Sequence, residues 1–427
     1  MGLALGFVNS ILLTRTLGVT GRGEFALFSA SFGLLSLLLG LGFDTSLRYH
    51  IATGTVAKDR VLASLLLFSA IGAAVALGAA RLNHALFSNE LFLPASKQSL
   101  PFELLLAGVV LSTLLYSGIS ALFAGYQRFA VLNVASAAFS ALSVLVFGVL
   151  FRLKQGDSTG IGSDHVFVAF LGLQIFNALV LGAMACRTFG ISWSWSLLER
   201  TTFASMFRYA ALTYVANLAQ FLNYRVDTWV VQYFEGPREL GLYSLSANLA
   251  MMFSILPRSI STVLLPAMAA QSSDVSLAQA CRVARLVMAI NVLVAVPAAL
   301  LAGWWLPLLY GAGFGGATRP FAILLLGCAP FALCVVLAGV LAGMNRADVN
   351  LRASLLGLIA TVVLDLALIP RYGIEGAAVA SATSYLVTTT FVAISFAQIA
   401  GLPLWATLLP VPQDFRYLIN GVKSLLR

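Results

Sequence analysis

Charge is what this chain has least of. Only 10% of its 427 residues are Asp, Glu, Lys or Arg, against 60% hydrophobic residues, where a soluble domain carries about 25% charged residues. A water-soluble globule so poor in charge would expose wide apolar patches and aggregate, which excludes the soluble enzyme classes. Cysteine and histidine are scarce as well. Cys186, Cys281, Cys328 and Cys334 lie in or beside apolar runs and form no CxxC pair, so they read as small buried residues without a disulfide framework. His50, His84 and His165 stand singly, and no metal site is expected. There is no GxxxxGK[ST] phosphate-binding loop, which argues against an ATPase of that type; no cofactor is expected either. The first residues carry no basic segment ahead of their apolar run, unlike a secretory signal peptide.

What the chain has is apolar length. A membrane-spanning helix takes ~20 mostly apolar residues. Such helices are read at 2–17, 24–46, 61–81, 102–123, 129–151, 165–186, 209–234, 240–268, 284–308, 319–342, 350–370 and 374–399. Short polar or Gly/Pro turns separate them, and nothing between them approaches the ~50 residues of a folded extramembrane domain. The expected fold class is an all-α integral membrane protein of about twelve transmembrane helices. The longest break mixes Trp193, Trp195, Leu197, Leu198 and Phe203 with Glu199, Arg200 and Arg208, the pattern of an interfacial amphipathic helix. The expected organisation is a six-helix lobe over 1–186, an amphipathic cytoplasmic linker over 187–208, a second six-helix lobe over 209–399 and an amphipathic cytoplasmic tail over 400–427.

The net charge of +9 fits cytoplasmic loops and anionic lipid, since no basic surface outside the membrane offers a nucleic-acid site. With both termini inside, fourteen basic residues fall on inner loops and tail and nine on outer loops. The positive-inside rule therefore favours cytoplasmic termini. The halves also match each other. Glu24-Phe25-Ala26-Leu27-Phe28-Ser29 parallels Glu239-Leu240-Gly241-Leu242-Tyr243-Ser244, 215 residues on, and Ala124-Gly125-Tyr126-Gln127-Arg128 parallels Ala342-Gly343-Met344-Asn345-Arg346, 218 residues on. Six helices per half makes the repeats parallel, a transporter architecture with two pseudo-symmetric lobes around a central cavity.

Several stretches in order along the chain resemble the lipid-linked oligosaccharide flippases of the multidrug/oligosaccharidyl-lipid/polysaccharide exporter superfamily. They are Leu13-Thr14-Arg15-Thr16-Leu17-Gly18 with Gly23-Glu24-Phe25; Leu41-Gly42-Phe43-Asp44 with Leu47-Arg48; Tyr224-Arg225-Val226-Asp227 with Gly241-Leu242-Tyr243; Pro257 with Leu265-Pro266; Leu309-Tyr310-Gly311 with Phe314; and Leu368-Ile369-Pro370-Arg371-Tyr372-Gly373-Ile374-Glu375-Gly376-Ala377-Ala378. The chain departs from the family in two places. Only fourteen residues precede Arg15, and Asp365 stands where the family commonly has Asn.

The resemblance implies alternating-access transport of a polyprenyl-diphosphate-linked sugar repeat, for lipopolysaccharide or exopolysaccharide synthesis, in the cytoplasmic membrane of a bacterium, without covalent catalysis. It implies membrane lipids and H+ or Na+ as partners, and the duplicated halves suffice for a monomer. Three rivals stand beside it: a cation-coupled multidrug exporter of the same superfamily; a lipid II flippase of cell-wall synthesis, commonly longer at fourteen helices, against which the apparent twelve argue; and a membrane glycan polymerase or ligase, for which the outer loops are short.

Moving a diphosphate through hydrocarbon calls for a wet cationic groove, and arginine binds phosphate oxygens bidentately while staying charged. Arg225 and Arg258 fall inside predicted helices, where an Arg costs about 2.5–3.5 kcal/mol and needs a cavity or a partner. Arg225 either faces substrate or ties helices together by an ion pair; Arg258 binds substrate or snorkels to headgroups. Arg15 and Arg48, on helices that line the cavity by family likeness, guide phosphate or anchor the interface. Asp227 and Asp365 are the candidates for ion coupling. Alternatively Asp227 neutralises Arg225, and Asp365 is simply solvated near its helix end. Pro257, Pro266, Pro297 and Pro330 interrupt helices and are candidate hinges.

Overall fold

The computed structural model describes residues 2–54, 58–87, 91–155, 162–190, 200–270 and 273–409. Two compact units emerge, Met1–Leu218 and Ala219–Arg427. Hydrocarbon offers backbone amides no water, so each spanning segment must close its hydrogen bonds within itself; helices are the result. The first unit contains α1 (Gly2–Gly40), α2 (Phe43–Ala52), α3 (Lys58–Phe87), α4 (Leu100–Gly125), α5 (Phe129–Gln155) and α6 (Ser163–Phe189). Then α7 (Arg200–Met252) begins in the first unit and continues into the second, which adds α8 (Ile255–Ala270), α9 (Ser273–Leu300), α10 (Ala302–Tyr310), α11 (Thr318–Gly343), α12 (Ala347–Ala400) and α13 (Leu404–Leu408).

Nine helical runs among the described residues are long and apolar enough to cross a membrane. Three of them are too long to be single rods. A straight α12 of 54 residues would reach about 80 Å against a hydrocarbon core of ~30 Å. Each long run is broken at one glycine: Gly18 in α1 (φ 72°, ψ −176°), Gly236 in α7 (φ 79°, ψ −177°) and Gly373 in α12 (φ 57°, ψ −139°). Divided there, the nine runs become twelve segments. The polar turns anticipated at 18–23, 235–239 and 371–373 thus contract to a single non-helical residue each. At Gly18 and Gly236 the backbone lies in a region open essentially to glycine alone.

Other breaks fall inside helices the sequence leads one to expect as continuous. Leu41 and Gly42 take positive φ and separate α1 from α2. Phe253 and Ser254 separate α7 from α8, three residues before Pro257. Proline lacks the N–H that would bond the carbonyl four residues back, which is Phe253. Asn291 on α9 donates its Nδ2–H to that carbonyl at 2.8 Å. The helix expected from 284 starts at Ser273 and yields at Leu301 to α10, with Trp305 Nε1 donating to the Ala298 carbonyl at 3.0 Å.

In each unit one helix is central. In the first unit α4 packs against α1, α2, α3, α5 and α6, and in the second α11 packs against α8, α9, α10 and α12. Association between helices in lipid depends on close packing rather than on the hydrophobic effect, so small residues gather at the contacts. A Cβ on Gly327 of α11 would stand 2.5 Å from the Ala382 backbone of α12. Both central helices end in the same left-handed capping turn. Gln127 (φ 56°) and Asn345 (φ 59°) occupy its positive-φ position. Arg128 N–H bonds to the Phe123 carbonyl at 2.9 Å, and Arg346 N–H to the Leu341 carbonyl at 2.8 Å.

Ends are fastened by charge. Lys97 bonds Asp164 and Ser163, stands 3.9 Å from Glu24 and lies over the Phe102 ring. Arg285 is buried on α9 and donates to the Ala406 carbonyl of α13. Of the anticipated linker, 191–199 lies outside the described residues, as does 410–427 of the tail. Around that gap, α6 ends at the left-handed Gly190 and α7 begins at Arg200.

A Cβ at Gly236 would meet nothing within 4 Å, so substitution there isolates the backbone cost. Gly236→Ala is expected to destabilise the second unit by about 1–3 kcal/mol. Thermal unfolding in detergent should show a lowered Tm, whereas Gly148→Ala, on a helical glycine, should leave it within a degree or two.

Candidate functional site

The second unit carries a polar seam through apolar helices. On α7, Gln220, Asn223 and Asp227 recur at spacings of three and four residues, which places them on one helix face. On the first arm of α12, Ser354, Gly357, Thr361 and Asp365 do the same. After the turn at Gly373, the second arm presents Ser381, Ser384 and Thr388. These three faces meet. Ser354 Oγ donates to Gln220 Oε1 at 2.8 Å, and Thr361 Oγ1 to Asn223 Oδ1 at 2.8 Å. Ser384 Oγ lies 3.2 Å from Asn223 Oδ1 and 2.8 Å from the Gly357 carbonyl; its single proton serves one of them at a time. Gly357 makes the approach feasible, since a Cβ there would stand 2.5 Å from Thr388 Oγ1 and 2.8 Å from Asn223 Nδ2.

Two carboxyl groups lie at the end of this seam, and their surroundings differ. Asp227 is 3% exposed and surrounded by hydroxyls. Tyr243 donates to Asp227 Oδ2 at 2.5 Å, Ser381 Oγ stands 3.3 Å from the same oxygen, and Thr228 Oγ1 is 3.4 Å from Oδ1. Asp365 is fully buried, at 0% exposure, and neither carboxyl oxygen has a hydrogen-bond partner among the described residues. It lies close enough to Asp227 for the two groups to interact electrostatically. Asn223 Nδ2 is likewise buried without an acceptor. An unaccompanied carboxylate in such a place is very costly. The simple solvation considered for Asp365 from its helix-end position is not what the fold provides, since its side chain has no exposure.

The arginines are arranged differently. Arg225 is half-buried on α7 and makes no hydrogen bond or ion pair to any described residue, though it lies within electrostatic range of Asp227. Arg258 is exposed on α8, with Nε 3.2 Å from Ser254 Oγ, a guanidinium N–H 3.3 Å from Tyr224 OH, and its charge 5.8 Å from the Tyr224 ring centre. Tyr224 in turn packs against Phe331 and Tyr385. Arg15 and Arg48 are exposed on α1 and α2. Pro257 is buried at the start of α8, Pro297 is exposed within α9 and Pro330 is half-buried within α11. Pro266 lies on α8, with its side chain outside the described ones.

So the structure joins Asp227 and Asp365 in one buried site and sets Arg225 two residues away. Tyr243 and Ser381 hydrogen-bond Asp227, and the bonded pair Asn223 and Thr361 lies one helical turn along from the two acids; none of the four stands out by type alone. Their signal in the sequence is periodic: small polar residues every three or four positions in otherwise apolar helices.

A sequence profile of the family described as polysaccharide biosynthesis protein matches residues 2–272. The chain belongs to that family. The MatE profile matches residues 213–367, which take in most of the seam. Among curated relatives from Haloferax volcanii, the probable low-salt glycan biosynthesis flippase Agl15 is 21% identical over 423 residues, 92% of this chain and 82% of Agl15. The probable flippase AglR is 22% identical over 253 residues, 57% of this chain and 52% of AglR, so that match spans about half the relative's length. Among solved structures, the lipid II flippase MurJ in an inward closed conformation superposes with a TM-score of 0.74 at 14% identity, over 95% of this chain and 88% of MurJ. The resemblance to polysaccharide flippases of the exporter superfamily holds, and with it the all-α, two-lobe membrane fold.

In this family member the seam can be tested apart from transport. Asn223→Ala would leave the Thr361 and Ser384 hydroxyls without their shared acceptor, at a cost of about 1–3 kcal/mol. A lowered Tm for Asn223→Ala, with less than the additive loss when Thr361→Val removes the donor as well, is the expected outcome.

Proposed function

We propose that the protein flips a polyprenyl-diphosphate-linked oligosaccharide repeat from the inner to the outer leaflet of a bacterial cytoplasmic membrane, by alternating access coupled to a cation. The observation that carries this reading is an Arg with no hydrogen bond or ion pair to any described residue, two positions from Asp227, together with a buried acid, Asp365, whose carboxyl oxygens have no hydrogen-bond partner among the described residues. Arg225 supplies a fixed positive charge for diphosphate, backed by Arg258 and, on the first unit, by Arg15 and Arg48. Asp365 and Asp227 bind the coupling ion. The ligands offered are all oxygen, from two carboxyls and the hydroxyls around them, a set that suits Na+ or a proton and not a soft metal.

Neutralising Asp365 changes what Tyr243, Ser381 and Asp227 must satisfy, and thereby biases the packing of α7 against α12. The family's flippase relatives support transport rather than covalent chemistry. Lobes over 1–186 and 209–399, joined by the 187–208 linker and followed by the 400–427 tail, would rock with hinges at Pro257, Pro266, Pro297 and Pro330, although α8 and α11 run on through Pro266 and Pro330. Both termini face the cytoplasm, and a single chain suffices. The MatE match favours a second reading, a cation-coupled multidrug exporter on the same fold.

The deciding experiment uses the native host with the gene deleted and complemented by wild type or Arg225→Ala at matched expression. Lipid-linked glycans are extracted and assigned to a membrane face. The deletion should trap completed repeats on the cytoplasmic face, and Arg225→Ala should slow their release about 10- to 100-fold, the worth of a charged hydrogen bond. Unchanged glycans with raised sensitivity to cationic drugs would replace this reading with the exporter. In liposomes, Asp365→Asn should abolish the response of transport to an imposed Na+ or proton gradient while leaving Tm near wild type. A variant that keeps the full gradient response removes Asp365 from the coupling role.

A further inference from the structure

The first unit contains a cavity of about 390 Å³ between α3, α4 and α6 that the proposed transport cycle does not use. Its origin is a mismatch in side-chain size. Leu62 and Leu65 of α3 and Ile119 of α4 face Ala178, Gly182 and Ala183 of α6, and the small residues leave the space unfilled. The wall offers water almost nothing. The Ser112 hydroxyl is donated to the Gly108 carbonyl at 2.5 Å, and a buried water needs two to four polar partners. An empty cavity of this size would forfeit dispersion contacts along its whole lining.

The rim identifies the phase it opens to. Leu179 is 67% exposed and Ile175 40%, and at this depth in a spanning helix such apolar exposure is exposure to hydrocarbon. From Ile175 to Cys186 the slot follows α6 for about 16 Å, or half the ~30 Å hydrocarbon core. It is therefore one leaflet deep. Its shallow end is basic: Arg60 lies two residues before Leu62, and the exposed Arg187 directly follows Cys186.

We propose that this slot binds one acyl chain of an anionic phospholipid, whose headgroup is held between Arg60 and Arg187. A tail much longer than a leaflet would leave most of its length outside, so the occupant is an acyl chain and not a polyprenyl chain. The site is separate from the seam of the second unit and does not depend on the flippase reading.

Native mass spectrometry of the purified full chain with palmitoyl-oleoyl phosphatidylglycerol provides the test. Wild type should retain one phosphatidylglycerol at least tenfold more than the Gly182→Leu/Ala183→Phe variant, which fills the slot. A Cβ at Gly182 meets only Ile119 Cδ1, at 3.6 Å, so room for the new side chain exists. Arg60→Gln/Arg187→Gln should reduce phosphatidylglycerol to the level of phosphatidylcholine with the same chains. Fluorescence gives an independent reading that needs no filling mutation. Phosphatidylglycerol with a brominated chain should quench the tryptophan of a Leu179→Trp variant more strongly than brominated phosphatidylcholine does. Equal retention by wild type and the filled variant, equal quenching by the two headgroups, or displacement of phosphatidylglycerol by equimolar polyprenyl phosphate would each overturn the proposal.

Discussion

In hydrocarbon every polar group must find its partner inside the protein, and the organisation of this chain follows from that constraint. It makes the spanning segments helical, and it also governs where helices stop. At three helix ends or breaks among the described residues, a side chain from another helix meets the backbone. Asn291 takes the Phe253 carbonyl ahead of Pro257, Lys154 takes the Thr16 carbonyl beside the Gly18 break, and Ser246 takes the Ala317 carbonyl at the start of α11. A break in such a place survives because its freed carbonyl is already paired. Any motion at these positions must exchange those bonds rather than merely lose them.

The two units share a plan that shows in backbone conformation more clearly than in residue identity. Gly18 and Gly236 have nearly the same φ and ψ and lie 218 residues apart, the same spacing as Gln127 and Asn345 in the paired capping turns. The match between the segments that follow the two glycines runs at 215, so three residues separate the two registers. On that shared frame the interiors have diverged. Asp227 lies nine residues before its glycine; at the same distance before Gly18 stands Asn9. Tyr243, which hydrogen-bonds Asp227, corresponds in the sequence match to Phe28, which packs edge-on against Phe167 in a cluster of phenylalanines. One unit has an aromatic core and an apolar slot, and the other has a buried acidic pair.

This asymmetry is where the chemistry resides. A charged carboxylate with no hydrogen-bond partner among the described residues is costly at 0% exposure, and that is where the fold puts Asp365, on the arm of α12 that precedes the turn at Gly373. The apolar slot of the first unit has the opposite character, since its lining excludes water and charge alike. Both features arise from small residues on helix faces. Gly357 lets polar groups approach in the second unit, and Gly182 with its alanine neighbours opens the slot in the first.

Much of this was legible without coordinates. The scarcity of charge required a membrane fold, apolar runs of spanning length located the helices, and the paired turn residues exposed the duplication. Arg225, Asp227 and Asp365 stood out because a charge inside an apolar run costs energy wherever it is placed. Sequence could not reveal that Asp227 and Asp365, 138 positions apart, share one site, nor that Asn223, Tyr243 and Ser381 belong with them. Serine, threonine and asparagine are ordinary in membrane helices, and their meaning depends on which face meets which neighbour. Nor could it reveal that single glycines replace the longer polar turns, or that a slot opens beside Gly182. Composition and periodicity fix what each helix must bury, because that cost is local to the segment. Which helix it is buried against is settled only by packing, where small residues on two faces come within contact distance.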